Sequence, residues 1–380
     1  MRVLRERPGR ERPAGGNRAR RFGIAGAVAG IAAAGVAAGV AVERALIRRS
    51  KRDVDDPYAD ERFGELPCEE RRTVTASDGT ELYVEIVEPR FRSAGDRPDA
   101  GEAGCRAPTL VFVHGFCLDM GAFHFQRKEL AERGEYRMVF YDQPGHGRSG
   151  RLRSGEYELP ALGEALRAVL DDTVPDGPIV LIGHSMGGMT IMAFAERFPE
   201  MFGDRVVATV LMATSAGLIE QARFGVPGLL SRVGGPLLPV VRNATRLTGP
   251  VIERTRAATS DLAWLLTRRY GFGGDRPSPS LVSYVERMNA RTSVDTVVRY
   301  LRTLATHARH PALAALRHVP TLVIVGEKDM ITPVAHSEEI LRHLPEAEFV
   351  KVPGSGHVVM LEHGDEVNRA LIDFLEKITA

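Results

Sequence analysis

Cysteine is scarce, with three in 380 residues. This excludes a disulfide scaffold and any Cys-rich zinc module. The sequence has no G-x-G-x-x-G stretch and no P-loop, so the usual phosphate cradles of nucleotide cofactors are missing. No pair of His, Cys or Asp has metal-ligand spacing, and no internal repeat is visible. Neither a metal nor a cofactor is therefore expected. What is present is 44% apolar and 26% charged residues, the balance of a globular core, which also excludes a multi-span membrane protein.

The net charge of +1 hides an asymmetry. Residues 1–52 carry 13 Lys/Arg against 3 Asp/Glu, a net of +10, and the other 328 residues carry 37 against 46, a net of −9. The acidic body argues against a nucleic-acid partner, which would call for a basic face. The basic piece needs its own explanation. Phe22 to Val42 are 21 consecutive uncharged residues, with eight Arg before them and Arg44, Arg48, Arg49, Lys51 and Arg52 after them. As a helix this run would span roughly 30 Å, enough to cross a bilayer. A single transmembrane anchor, a cleaved export signal and an Ala/Gly-rich helix packed on the protein all fit, and the span with its basic flanks favours the anchor. The larger cluster of Arg lies before the span, which puts the N-terminus inside and the body outside the cytoplasm. A body on that side would allow Cys68 and Cys105 to pair.

Residues 53–70 are polar and read as a linker. Val74 to Val87 reads as a hairpin turning at Asp78-Gly79. Strand and helix patterns then alternate: strands at Thr109–Val113, Arg137–Tyr141, Pro178–Ile182, Val206–Ala213, Thr321–Val325 and Glu348–Val352, and helices at Gly121–Arg133, Leu159–Asp171, Met186–Arg197, Pro333–Leu344 and Asp365–Lys377. Strands written as unbroken apolar runs between helices predict a mostly parallel sheet covered on both faces. Residues 218–319 break the rhythm and predict a mostly helical cap. The organisation is thus a basic N-terminus over 1–52 with an apolar helix at 22–42, a core in two parts (53–217 and 320–380), and a cap between them.

Ile179 to Gly188 reads strand, then Gly183-His184-Ser185-Met186-Gly187, then helix. This is the setting of a nucleophile elbow, a strained turn that lifts a Ser hydroxyl above the sheet. A hydroxyl is a weak nucleophile and needs a base, which in turn needs an orienting acid. Asp329 follows the strand Thr321–Val325, and His357 follows the strand ending at Val352 through a glycine-rich loop. Both sit at strand ends, where open α/β sheets bind ligands. Two backbone donors must face the developing oxyanion. Met186 N–H is one candidate. Phe116 N–H, in the loop Val113-His114-Gly115-Phe116, is the other, with Gly115 letting that loop approach the substrate. His114, His146 and His184 read as structural.

These residues resemble the α/β-hydrolase superfamily over roughly 73–217 and 318–378, with the motifs in family order. His114-Gly115-Phe116 is similar to its oxyanion loop. Tyr141 to Ser149 is similar to its D-x-P-G-H-G-x-S turn. Gly183 to Gly188 resembles the elbow of monoacylglycerol lipases, esterases and cofactor-free haloperoxidases. Gly326–Asp329 and Gly356-His357 with Glu362 resemble its acid and base loops. The resemblance implies an eight-stranded fold of that family and a serine hydrolase acting on carboxylic esters of apolar acids, with no cofactor. Thioester, amide or C–C hydrolysis, perhydrolysis and acyl transfer use the same triad, and a membrane-bound binding protein without activity is the alternative of another class. The apolar runs of the cap, with Leu229 and Leu237, are expected to line an acyl pocket.

Overall fold

The computed structural model describes residues 56–90, 107–217 and 263–380. The apolar helix expected over 22–42, together with Cys105, Leu229 and Leu237, lies outside the described residues. Among the described residues no helix is long and apolar enough to cross a membrane, and Cys68 and Cys117 carry no disulfide.

Eight strands form one sheet: β1 (Glu70–Thr75), β2 (Glu81–Val87), β3 (Thr109–Val113), β4 (Met138–Tyr141), β5 (Ile179–His184), β6 (Val206–Met212), β7 (Thr321–Gly326) and β8 (Glu348–Val352). Their order is β1-β2-β4-β3-β5-β6-β7-β8. β1 pairs with β2, and β2 with β4, antiparallel, while all later neighbours are parallel. β3, β5 and β7 are buried at every residue, whereas β1 alternates along its length. The inner strands therefore lack a period-2 pattern because helices cover both faces of the sheet. Each Val, Leu or Ile fully buried there contributes about 1.5–3 kcal/mol.

Four helices belong to the core before and between the last strands: α1 (His124–Arg133), α2 (Leu159–Thr173), α3 (Met186–Arg197) and, after the cap, α6 (Val334–His343). The last helix is α7 (Gly364–Thr379). Of the interval 218–319 expected to form a cap, the described part carries helices at 263–271, α4 (Pro279–Arg291) and α5 (Val294–Ala305).

Two local expectations change. The helix expected from Gly121 opens instead as a 3₁₀ turn, Met120–Phe123. Asp119 accepts from Gly121 N–H at 2.9 Å and the Tyr284 hydroxyl donates to Gly121 O at 2.9 Å, which tightens the first turn. The stretch read as a linker is packed from residue 56 onward. Asp56 accepts from Ser280 N–H (3.1 Å) and from the hydroxyls of Ser278 (2.5 Å) and Ser280 (2.7 Å) at the start of α4. The Phe63 ring stacks on Tyr284 with centroids 4.7 Å apart. Polar composition suggested a solvated tether. The carboxylate is in fact spent on orphan N–H and hydroxyl groups at a helix start.

Candidate active site

The turn from β5 to α3 places Ser185 at φ 53°, ψ −116°, a conformation that costs a non-glycine residue energy. Three bonds hold it there: Ser185 N–H to Met212 O at 2.9 Å, Thr214 Oγ1–H to Ser185 O at 2.7 Å, and Gly188 N–H to Ser185 O at 3.0 Å. The turn is closed so tightly that a Cβ on Gly187 would lie 1.9 Å from Val113 O. A Cβ on Gly115 would meet His184 Nδ1 at 2.6 Å and Ser185 Cβ at 3.2 Å. The glycines thus let the β3 loop close onto the elbow.

Ser185, His357 and Asp329 meet although 172 and 28 residues separate the pairs. Ser185 Oγ lies 2.9 Å from His357 Nε2, and His357 Nδ1 lies 2.9 Å from Asp329 Oδ2. All three side chains are buried, at 7%, 6% and 4% exposure, so their interactions are little screened by water. Asp329 Oδ1 accepts from Ile331 N–H (2.8 Å) and Thr332 N–H (2.9 Å), and Oδ2 accepts from the Thr332 hydroxyl (2.9 Å). Burial alone would push this carboxyl up. The facing His357 and these N–H groups outweigh burial and hold it below its ordinary 3.8. Asp329 is therefore an anion aimed at Nδ1.

Met186 is the first residue of α3, so its N–H has no acceptor within the helix and stays available beside Ser185. Phe116 follows Gly115 in the loop after β3, its ring edge-on to His146 and Tyr300 at centroid distances of 6.0 and 6.3 Å. That loop is fastened by Gln143, whose side chain donates to His114 O (2.5 Å) and whose N–H donates to His114 Nε2 (2.8 Å). The Thr190 hydroxyl donates to Gln143 Oε1 at 2.8 Å.

The histidines near the site are buried and neutral. Burial is the largest cause that lowers His114 to about 4, against Gly115 O and Asp119, and that lowers His146 to about 3 and His184 to about 3. His184 Nε2 lies 2.9 Å from His357 O, so a proton there anchors the base loop. Asp142 accepts from Met120 N–H (2.9 Å) and Arg148 N–H (2.8 Å), which fixes the turn after β4. Burial and then Asp119 push it up to about 7. Cys117, beside the oxyanion loop, is pushed up to about 12 by burial and is a thiol, not a thiolate. His363, the next histidine along the chain from His357, faces Glu366 at 3.8 Å.

Thr332 and Gln143 enter the site description only with the structure, and Glu362, already placed with the base loop, gains its partners there. Thr332 braces Asp329 through its N–H and hydroxyl, with its Oγ1 lying 2.8 Å from Ala213 O as well, and its place three residues after an Asp is the signal that would have found it. Gln143 had no signal beyond its place in a turn. Glu362 receives Gly356 N–H (2.6 Å), Gly274 N–H (2.8 Å) and Gly273 N–H (3.0 Å), which joins the loop of His357 to the cap segment 271–274.

A sequence profile of the alpha/beta hydrolase fold matches residues 108–364. The chain is 31% identical over 335 residues to the dihydrolipoyllysine-residue acetyltransferase component of an acetoin cleaving system from Pseudomonas putida, covering 80% of this chain and 79% of that protein. It is 26% identical over 276 residues to an sn-1-specific diacylglycerol lipase from Mus musculus, covering 72% and 80% respectively. Among solved structures it resembles a thermophilic esterase from Thermogutta terrifontis, with a TM-score of 0.56 at 26% identity, over 82% of this chain and all of that one.

Proposed function

The chain belongs to the α/β-hydrolase fold family, and from that premise we propose that it is a serine hydrolase cleaving carboxylic esters of apolar acids. The observation that carries the proposal is the buried chain from Ser185 through His357 to Asp329, with both hydrogen bonds at 2.9 Å. Ser185 Oγ attacks the ester carbonyl while His357 Nε2 takes its proton. Asp329 holds the imidazole with Nδ1 protonated and stabilises the imidazolium. The N–H groups of Met186 and Phe116 take the oxyanion. His357 returns the proton to the leaving alcohol, and water then hydrolyses the acyl-enzyme by the same path.

Acyl transfer is the second reading, favoured by the acetyltransferase-component relative. An acceptor alcohol added to the assay separates the two through the partition between free acid and new ester.

The apolar runs of the cap region, with Leu229 and Leu237, are proposed to hold the acyl chain. Each methylene buried on the way to the transition state would contribute up to ~0.8 kcal/mol, roughly fourfold in kcat/KM. A panel from acetate to butyrate to hexanoate should climb and then level off. A profile that falls from acetate onward would remove the apolar acyl group from this reading.

We also propose that Phe22–Val42 anchors the protein in a membrane with the hydrolase body outside the cytoplasm. The full chain should sediment with membranes and resist high-salt washing, since salt screens charge but not apolar burial. Uncleaved protein in the soluble fraction would show the anchor to be wrong.

A further inference from the structure

Far along the chain from the triad's Ser185, three side chains converge that no motif in the sequence joins. His310 opens the short turn His310–Ala312 on the return from the cap toward β7. Glu339 and His343 lie one turn apart on α6, the helix that begins right after the acid loop. One ligand atom from each of the three lies within 4.8 Å of the other two. His310 Nε2 is 3.8 Å and His343 Nε2 is 3.5 Å from the same oxygen, Glu339 Oε1.

These separations are too long for hydrogen bonds, which for N–H···O fall near 2.7–3.2 Å. They are close to the spacing of ligands around one small ion. Metal–ligand bonds of about 2.0–2.2 Å in a tetrahedron put neighbouring ligand atoms roughly 3.3–3.5 Å apart. The three side chains are half-buried, at 29%, 20% and 38% exposure, which leaves a solvent side for a water ligand.

The surroundings hold the ligands in place. A Cβ on Gly217 would lie 2.7 Å from His310 Cε1 and 3.1 Å from Nδ1, so the imidazole rests against bare backbone there. The chain beside it is fastened by Arg309 N–H to Ala216 O at 2.5 Å and by His307 Nε2 at 2.7 Å from Ser215 O. Arg342 pairs with the other carboxylate oxygen, Glu339 Oε2, leaving Oε1 to the two imidazoles. Arg317 Nε–H donates to His343 O at 2.8 Å and secures the end of α6. A carboxylate with one oxygen on the ion and the other on a cation is the outer support that metal ligands commonly have.

We propose that His310, Glu339 and His343 form a binding site for a divalent transition-metal ion, with zinc the best match to two imidazoles and one carboxylate. Such an ion staples the segment returning from the cap to the helix that follows Asp329. The sequence reading expects no metal, because the third ligand lies 29 residues before the other pair begins and only the fold brings it near.

The test uses the full chain, free of any histidine tag, stripped with EDTA and titrated with Co²⁺ and then Zn²⁺. One equivalent of Co²⁺ should give visible d–d absorption that Zn²⁺ abolishes, and Zn²⁺ should raise the melting temperature. His310→Ala and His343→Ala should each weaken binding by about 100-fold or more, and Glu339→Gln by at least about tenfold. His357→Ala should bind as the wild type does. If an alanine variant melts early in EDTA, His310→Gln and His343→Gln keep the side-chain bulk and replace it. Absence of a stoichiometric equivalent overturns the proposal. So does binding that survives the changes at 310 and 343, or that disappears with His357.

Discussion

Ser185→Ala and His357→Ala are each expected to lower kcat by about 10³–10⁶-fold, or roughly 4–8 kcal/mol of transition-state stabilisation. Asp329→Asn should be the mildest of the three, because Ser185 and the His357 imidazole both remain, and how it loses activity can be read from its contacts. Asp329 Oδ1 accepts two backbone N–H groups, from Ile331 and Thr332. An Asn must put its carbonyl on that side and turn its NH₂ toward His357 Nδ1. The imidazole would then have to accept at Nδ1 and carry its proton on Nε2, where it cannot take the Ser185 proton. The loss should therefore shrink as the pH rises, once hydroxide replaces the lost base. The double variant Ser185→Ala/His357→Ala should be no worse than Ser185→Ala alone, because the residues act as a unit. Labelling by a fluorophosphonate probe should disappear in Ser185→Ala. Retention of more than about a tenth of wild-type activity in Ser185→Ala would sink the assignment of the nucleophile.

Stability is expected to fall steeply in mild acid. Burial is the main cause that lowers His114 to about 4, His146 to about 3, His184 to about 3 and His307 to about 4, from an ordinary 6.5. Each is neutral when folded and takes up a proton on unfolding once the pH is below about 6.5. Their contribution is present in full above that value and is lost as the pH falls toward their folded values. Asp142 works the other way. Held near 7 by burial and Asp119, it is protonated in the folded protein and releases that proton on unfolding between about pH 4 and 7. At about pH 5 four protons bind and one leaves, so unfolding takes up a net of three. That corresponds to a slope of roughly 4 kcal/mol per pH unit. His124 and His336, also lowered mainly by burial, add to it with the same sign. Against a typical total of about 5–15 kcal/mol, a slope of this size removes a large share of the stability by about pH 5. Urea midpoints measured from about pH 7 to pH 5 should drop sharply, and His146→Gln should reduce the slope by about a third. Midpoints that stay level across that range would show that these imidazoles do not titrate as argued.

The parts of this protein that the sequence alone determined are those whose physics is local. β3, β5 and β7 could be read as buried parallel strands because a strand covered on both faces has no polar residue to alternate with. The run Ile179 to Gly188 could be read as strand, strained turn and helix because the glycines that permit the turn flank the Ser itself. The helix Met186–Arg197 and the strand Glu348–Val352 have the bounds expected for them, since each is closed by residues next to it in the chain. Tertiary structure alone decided the rest. Asp56 looked solvated until Ser278 and Ser280, more than 220 residues later, used its carboxylate. Glu362 looked like an accessory of the base loop until Gly273 and Gly274 brought their N–H groups to it from the cap side. Glu339 and His343 are ordinary helix residues until His310 faces them. In each case a polar group must find a partner, and the nearest partner in space is not the nearest in the chain. Apolar pattern and turn chemistry record only what lies a few residues away. Which buried N–H, carboxylate and imidazole groups meet is set by how the sheet orders its strands and where the cap returns to it.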